Sequence, residues 1–207
     1  MTEEEARVWI AARYGSDSVV AMERIVDLVS AEAAHQNLVA PSTLATIWAR
    51  HIVDSAQLLD LAGPSEPQQL WIDIGSGAGF PGFVVAALSK RAVYLVEPRR
   101  RRAEFLVEAV ERLGLRDRVT IVRDRIQNVA GVAATVISAR AVAPLADLFG
   151  WAQACATPAT QWIIPKGRSA REDVATARET WHGVFHVEQS ITDPASLIVL
   201  ASGVARR

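Results

Sequence analysis

The sequence is poor in cysteine. Cys155 is the only one among 207 residues, which excludes a disulfide framework and a multi-cysteine zinc site. That usage fits a reducing compartment, and a cytoplasmic location is expected. Long apolar runs are also missing. No stretch approaches the roughly 20 residues that span a bilayer, so no membrane association is expected. The chain begins Met1-Thr2-Glu3-Glu4-Glu5, acidic where a secretory signal is basic and then apolar. His35, His182 and His186 have no metal-like partner nearby in sequence. They read as structural or exposed, and no metal is expected.

What is present describes a folded chain. Half the residues are hydrophobic and 22% are charged, a composition that buries a core rather than staying disordered. The length suits one domain, or one domain with an appendage. The net charge of −1 hides an asymmetry. Residues 1–70 sum to −6, residues 71–130 to +4 and residues 131–207 to +1. A basic middle can face a polyanion, or it can be ordinary solvated surface.

The first 62 residues read as helical. Ser16-Asp17 can cap a helix with Val19, Met22, Ile25, Val26 and Val29 at helical spacing. Ser42 can cap another that runs through Leu44, Ile47, Trp48, Ile52, Leu58 and Leu59. Gly63-Pro64-Ser65-Glu66-Pro67 is rich in turn formers. Residues 1–67 are therefore expected as an N-terminal helical cap on a core of residues 68–207, the two forming one compact unit.

From residue 70 short apolar strands alternate with amphipathic helices. The strands are expected at Leu70–Ile74, Val93–Val96, Val119–Val122, Thr135–Ser138, Gln161–Ile164, Val184–Val187 and Leu197–Leu200. Helices are expected near 80–89, 98–113, 144–156 and 169–181. This is the pattern of an α/β fold with a mostly parallel, seven-stranded, doubly wound sheet. The last two strands have no helix between them and should form a hairpin, with the final strand antiparallel at or near the edge.

Asp73-Ile74-Gly75-Ser76-Gly77-Ala78-Gly79-Phe80-Pro81-Gly82 follows the first strand. Gly77 to Gly82 matches G-x-G-x-x-G, which alone is weak evidence for a dinucleotide. A carboxylate at Asp73 would oppose a pyrophosphate on the glycine amides and a helix N-terminus. S-adenosylmethionine, with a sulfonium, an ammonium and no phosphate, suits an acid followed by Gly75, Gly77 and Gly79 better. Glu97 ends the second strand, 22 residues after Gly75, where a carboxylate can accept from ribose hydroxyls. The bland alternative is a tight turn plus a surface acid.

Three groups of residues carry a family resemblance. Asn37-Leu38, Arg50-His51-Ile52-Val53-Asp54-Ser55 and the Asp73–Gly82 loop resemble the N-L, R-H-x-x-D-S and D-x-G-x-G-x-G-x-P-G signatures of the RsmG (GidB) family. Its members are bacterial guanine-N7 methyltransferases of small-subunit 16S ribosomal RNA. Ser138-Ala139-Arg140-Ala141-Val142-Ala143 and Lys166-Gly167 are similar to the family's S-R-A-x-A and K-G segments. Ala139 stands as an insertion between Ser138 and Arg140, Glu97 replaces the more usual Asp, and Pro165 precedes the K-G pair.

The resemblance implies a Rossmann-like, class I methyltransferase fold with S-adenosylmethionine as cofactor. It places cofactor contacts at Gly75 and Phe80, at Ile126 and Gln127 after the third strand, and at Arg140. It implies 16S ribosomal RNA, in the small subunit or an assembly intermediate, as partner, and the chain is expected to act as a monomer. Ile126 can equally be core, and Arg140 can equally be a surface ion pair.

The chemistry agrees with the composition. Guanine N7 has a lone pair and no proton to remove, so alignment can replace a general base. Cys155 falls inside an expected helix rather than a strand-end loop, against a covalent pyrimidine mechanism. Ser138-Ala139-Arg140-Ala141 stands where exocyclic-amine enzymes carry N-P-P-Y or D-P-P-Y. Arg140 and Lys166 are expected to position substrate or phosphate, since a guanine reader wants donors. Arg50 with Asp54 and His51 with Ser55 are expected to share helix faces, either binding the cap to the sheet or serving the site. Trp48, Trp71, Trp151, Trp162 and Trp181 are expected in the core. Arg99, Arg100, Arg101 and Arg102 open a helix against its dipole. They are either a solvated face or an RNA phosphate contact. The remaining alternative is a class I methyltransferase for a small molecule or protein.

Overall fold

The computed structural model describes residues 1–207. Strands β1 (Leu70–Ile74), β2 (Ala92–Val96), β3 (Val119–Val122), β4 (Val136–Ala139), β5 (Gln161–Lys166), β6 (Trp181–Gln189) and β7 (Leu197–Arg206) form one sheet. Their order is β3-β2-β1-β4-β5-β7-β6. The first five strands run parallel, while β7 is antiparallel to both β5 and β6. The hairpin is as expected, with β7 one strand in from the edge and β6 outermost. Both strands are longer than their apolar segments, because polar residues continue the ladder past the core. A bulge lies between His182 and Val184.

Side chains alternate across this sheet. Trp71, Val93, Val136 and Ile163 face a core shared with helices α1 (Glu3–Tyr14), α2 (Ser16–Ala33), α4 (Asp54–Ala62), α5 (Gly82–Leu88) and α6 (Arg100–Arg112). Ile72, Ile137, Trp162 and Ile164 face α7 (Leu145–Trp151) and α8 (Ala170–Thr180) on the other side. The N-terminal helices are thus one layer of the sandwich. The strand order reverses between β1 and β4, and such a switch point leaves a crevice at the carboxyl ends of the strands.

The expected single helix from Ser42 is broken into three pieces. A short helix α3 spans Pro41–Leu44, with Pro41 rather than Ser42 opening it. A π-helix then spans Trp48–Val53, and α4 follows directly. The Asp54 amide reaches back five residues to the Ala49 carbonyl. The Glu3 carboxylate accepts from the amides of Trp48 (3.1 Å) and Ala49 (3.0 Å), so the N-terminal helix satisfies this turn from outside. The α2 boundary also differs: Gly15, in an extended positive-φ conformation, precedes Ser16, and no side chain caps the helix.

Two further departures concern the core. The expected 144–156 helix divides into α7 and a 3-10 turn at Gln153–Cys155, where the buried Cys155 donates to the Val129 carbonyl at 3.3 Å. Burial pushes its thiol pKa up. Ala139 causes no bulge: β4 pairs in unbroken register with β1, from Trp71–Val136 to Ile74–Ala139.

Glu3→Ala should cost roughly 1–3 kcal/mol, because two backbone donors lose a charged acceptor. Urea unfolding measures this, and an unchanged midpoint would mean that the π-helix is satisfied by other groups.

Candidate active site at the switch point

Three cavities with shared walls open at the carboxyl end of β1. The first, of about 310 Å³, is bordered by Gly75, Glu97, Ile126, Gln127, Val142 and Trp151. The second, of about 270 Å³, lies over the glycine loop against Phe80, His51 and Arg140. The third, of about 340 Å³, lies outward between the π-helix, Lys166 and the β6–β7 turn. Gly75 and Ala141 join the first to the second, while His51, Arg140 and Ala141 join the second to the third.

The loop owes its shape to its glycines. Gly75, Gly77 and Gly79 have φ of 69°, 56° and 91°, which favour glycine. A Cβ on Gly75 would come within 2.7 Å of the Val142 side chain, in the wall of the first cavity. Glu97 is 3% exposed and bridges the loop to the next helix. Its carboxylate accepts from the amides of Gly77 (3.0 Å) and Arg99 (2.8 Å). Each oxygen retains a lone pair beside the cavity.

Asp73 works differently from its sequence reading. It is wholly buried and borders none of the three cavities. Its carboxylate accepts from the Ser138 hydroxyl (2.9 Å) and the Gly82 amide (3.3 Å), and Ser138 accepts from the Trp71 indole (2.8 Å). Burial pushes the Asp73 carboxyl up to about 7 against these bonds. Asp73 ties β1, β4 and α5 together, and the acid that meets the cavity is Glu97.

Arg140 follows β4 and is carried by a turn in which Ala141 has φ of 56°. A non-glycine residue there costs roughly 1–3 kcal/mol. The guanidinium Nη1 donates to the Arg50 carbonyl at 3.1 Å and meets Asp54 at 3.4 Å. Nη2 donates to His51 Nδ1. The His51 ring stacks on Phe80, 5.1 Å between centroids and 20° between planes. Burial, then Arg140, then Arg50, lower the His51 pKa to about 3.

The expected Arg50–Asp54 face does not form a pair. Arg50 bonds Asp193 at 2.6 Å, while Asp54 accepts from Gln57 (2.9 Å), Ser190 (3.2 Å) and Thr192 (3.1 Å) as well as meeting Arg140. The Ser55 hydroxyl donates to the His51 carbonyl at 2.5 Å, within the same stretch of helix. Lys166 reaches the outer cavity, but its ammonium is shared between Asp173 (2.5 Å) and the Ala143 carbonyl (2.7 Å).

The arginine run divides. Arg99 is the residue before α6, and Arg99 and Arg102 border the first cavity. Arg102 also donates to the Asn37 carbonyl at 2.9 Å. Arg100 pairs with Glu104 at 2.6 Å, and Arg101 is exposed. Thr43, Gln57, Ser190, Thr192 and Asp193 escaped sequence reading. So did Trp151, which is half-buried in the cavity wall rather than in the core.

The low His51 pKa makes a prediction of known sign. The unfolded imidazole takes up a proton below about pH 6.5 and the folded one does not, so this group's contribution to stability falls as pH falls. Asp73, raised in the fold, has the opposite slope between about 3.8 and 7, and it is common to parent and variant. The unfolding free energy of His51→Asn relative to parent should therefore move by roughly 2 kcal/mol in the variant's favour from pH 7 to 5. Urea titrations at the two pH values check this; a constant difference would mean that His51 protonates inside the fold.

Comparison with known proteins agrees with this geometry. Residues 19–194 match the family described as rRNA small subunit methyltransferase G, GidB. The chain is 46% identical over 208 residues to ribosomal RNA small subunit methyltransferase G of Rhizorhabdus wittichii, covering all of this chain and 95% of that protein. It is 42% identical to the protein of that name from Zymomonas mobilis, covering 99% and 95%. Among solved structures it is similar to a SAM-dependent methyltransferase from Aquifex aeolicus, with a TM-score of 0.61 and 17% identity, covering 79% of this chain and 94% of that one. A methyltransferase from Geobacter sulfurreducens gives 0.57 at 18% identity, covering 86% and 89%. The fold is thus the Rossmann-like fold of S-adenosylmethionine-dependent methyltransferases, and the chain belongs to the ribosomal RNA small subunit methyltransferase G (GidB) family.

Proposed function

We propose that the protein transfers a methyl group from S-adenosylmethionine to N7 of a guanosine in 16S ribosomal RNA of the small subunit or an assembly intermediate. The observation that carries this reading is the junction at Arg140 and Ala141. There the cavity bordered by Glu97, Ile126 and Gln127 connects, through the one over the glycine loop, with the outer cavity lined by Arg140 and Lys166.

The residues present fit the methyl donor. The glycine cradle would be closed by a Cβ at Gly75. Glu97 offers acceptors to a ribose. Ile126 and Trp151 form an apolar wall for adenine, and Gln127 lies beside them with a polar edge. The donor supplies a methyl carbon already activated by a sulfonium. The chain's own task is alignment, which can contribute ~7–11 kcal/mol to a bimolecular reaction. No base is needed. Arg140 stands at the junction, and Lys166 lines the outer cavity with one ammonium hydrogen beyond its bonds to Asp173 and Ala143. They can serve guanine O6 or a phosphate, but N7 must keep its lone pair free for the methyl group. Arg100 and Arg101 lie outside all three cavities, on the side of α6 available to RNA phosphates. Arg99 and Arg102 stand at the lip of the first cavity. Such a protein works in the cytoplasm, as a monomer.

The direct test incubates the protein with labelled S-adenosylmethionine and small subunits from a strain lacking it. N7-methylguanosine in 16S RNA is expected; label confined to a protein or small molecule would overturn the acceptor assignment. Gly75→Val should fold and lose affinity for S-adenosylmethionine by calorimetry, whereas parental affinity would mean that the donor binds elsewhere. Changing Arg100 and Arg101 to Glu should lower subunit methylation and reduce the salt slope by roughly 1–2, with donor affinity unchanged. Parental methylation at every salt concentration would make the run a solvated surface.

A further inference from the structure

His51 makes contacts that alignment of the reactants does not by itself require. It is 7% exposed, in the π-helix, with its ring on Phe80. The partners of the ring assign its proton: a guanidinium only donates, so the Nδ1 that faces Arg140 is the accepting nitrogen. The Thr43 hydroxyl donates its single proton to the Ala40 carbonyl at 2.8 Å. At its 3.0 Å contact with His51 Nε2 it can therefore only accept. Nε2 carries the hydrogen, and Nδ1 is left with a lone pair.

That lone pair meets the Nη2 donor of Arg140. With Nη1 bound to the Arg50 carbonyl and facing Asp54, three of the five guanidinium hydrogens are committed to the π-helix and the start of α4. Nε–H and the second Nη2 hydrogen have no partner within the protein. On a planar guanidinium Nε–H and the Nη2 hydrogen syn to it are parallel, so with His51 on the other Nη2 hydrogen the two make a bidentate donor edge. Asp54 is itself held by Ser190 and Thr192 of the β6–β7 turn, so the committed end of Arg140 is braced from two directions.

We propose that His51 is a positioning residue for methyl transfer: as its Nε2–H tautomer it holds Arg140 through Nδ1 and turns the free Nε–H/Nη2–H edge toward the bound reactants. The inference rests on the methyltransferase reading above. A protonated His51 would present a second donor to the guanidinium and release it. A histidine acting only as a plug would need its ring and its volume, not its lone pair.

Two replacements separate these roles. His51→Phe keeps a ring on Phe80 and has no acceptor. His51→Asn loses the ring and places an acceptor oxygen near the Nδ1 position. If His51 positions Arg140, the Asn variant keeps kcat within about tenfold of parent while the Phe variant falls roughly 100-fold, the scale of a misaligned reactant. The same order is expected in affinity for S-adenosylmethionine by calorimetry. Phe equal to or better than Asn in both readouts would overturn the proposal. Thr43→Val, at a half-buried position, supplies the measurement if neither replacement folds. Losing the acceptor on Nε2–H should lower kcat several-fold, and a parental kcat would count against the proposal. A parent that leaves RNA unlabelled would overturn the acceptor assignment alone, and the order of donor affinities would still decide the role of His51.

Discussion

The guanidinium of Arg140 is the constraint around which the site is built. Its side chain is 23% exposed, and a charge partly withdrawn from water needs acceptors around it. The chain provides them from the π-helix and α4, as the Arg50 carbonyl, the His51 ring and the Asp54 carboxylate. Asp54 in turn needs donors, which come from Gln57 and from Ser190 and Thr192. One strand-end cation therefore ties together the N-terminal layer, the middle of the sheet and the C-terminal hairpin. The strain at Ala141 is part of the same arrangement, since that residue turns the chain at the point where all three cavities meet.

Two buried carboxylates divide the work on the other side of the cleft. Asp73 lies under the glycine loop and fixes where β1, β4 and α5 meet. Glu97 lies at its rim, holds Gly77 and Arg99 by their amides, and borders the cavity. Glu97 also places negative charge next to the start of α6, where Arg99 to Arg102 would otherwise meet an uncompensated helix dipole. The cavity and the arginine run thus share one electrostatic anchor.

Much of this was legible in the sequence, because it is written locally. The strand apolar runs gave the sheet. The spacing from Asp73 to Gly82 and on to Glu97 gave the cleft, and the R-H-x-x-D-S segment with the glycine loop gave the family. What escaped depends on partners far apart in the chain. Asp54 and Ser190 are 136 residues apart, and nothing in either neighbourhood marks the contact. The π-turn was hidden for a related reason: it is satisfied by Glu3, so residues 48–54 keep an apolar pattern that reads as ordinary α-helix. A strand-end acid can lie above or below its loop, and only the alternation fixed by Trp71 and Ser138 puts Asp73 below. Lys166 reads as a free donor until Asp173, on the following helix, is seen to pair with it.

The whole arrangement turns on an uncharged His51 imidazole, protonated on Nε2 alone, holding Arg140 in place. Nitrogen-15 NMR of the histidine side chains, assigned with a His51 variant, reads this directly. One protonated and one bare ring nitrogen are expected at His51, Nδ1 being the bare one, unchanged from about pH 7 to about pH 5. A His51 ring that gains its second proton in that range, or that carries its hydrogen on Nδ1 at neutral pH, would contradict it.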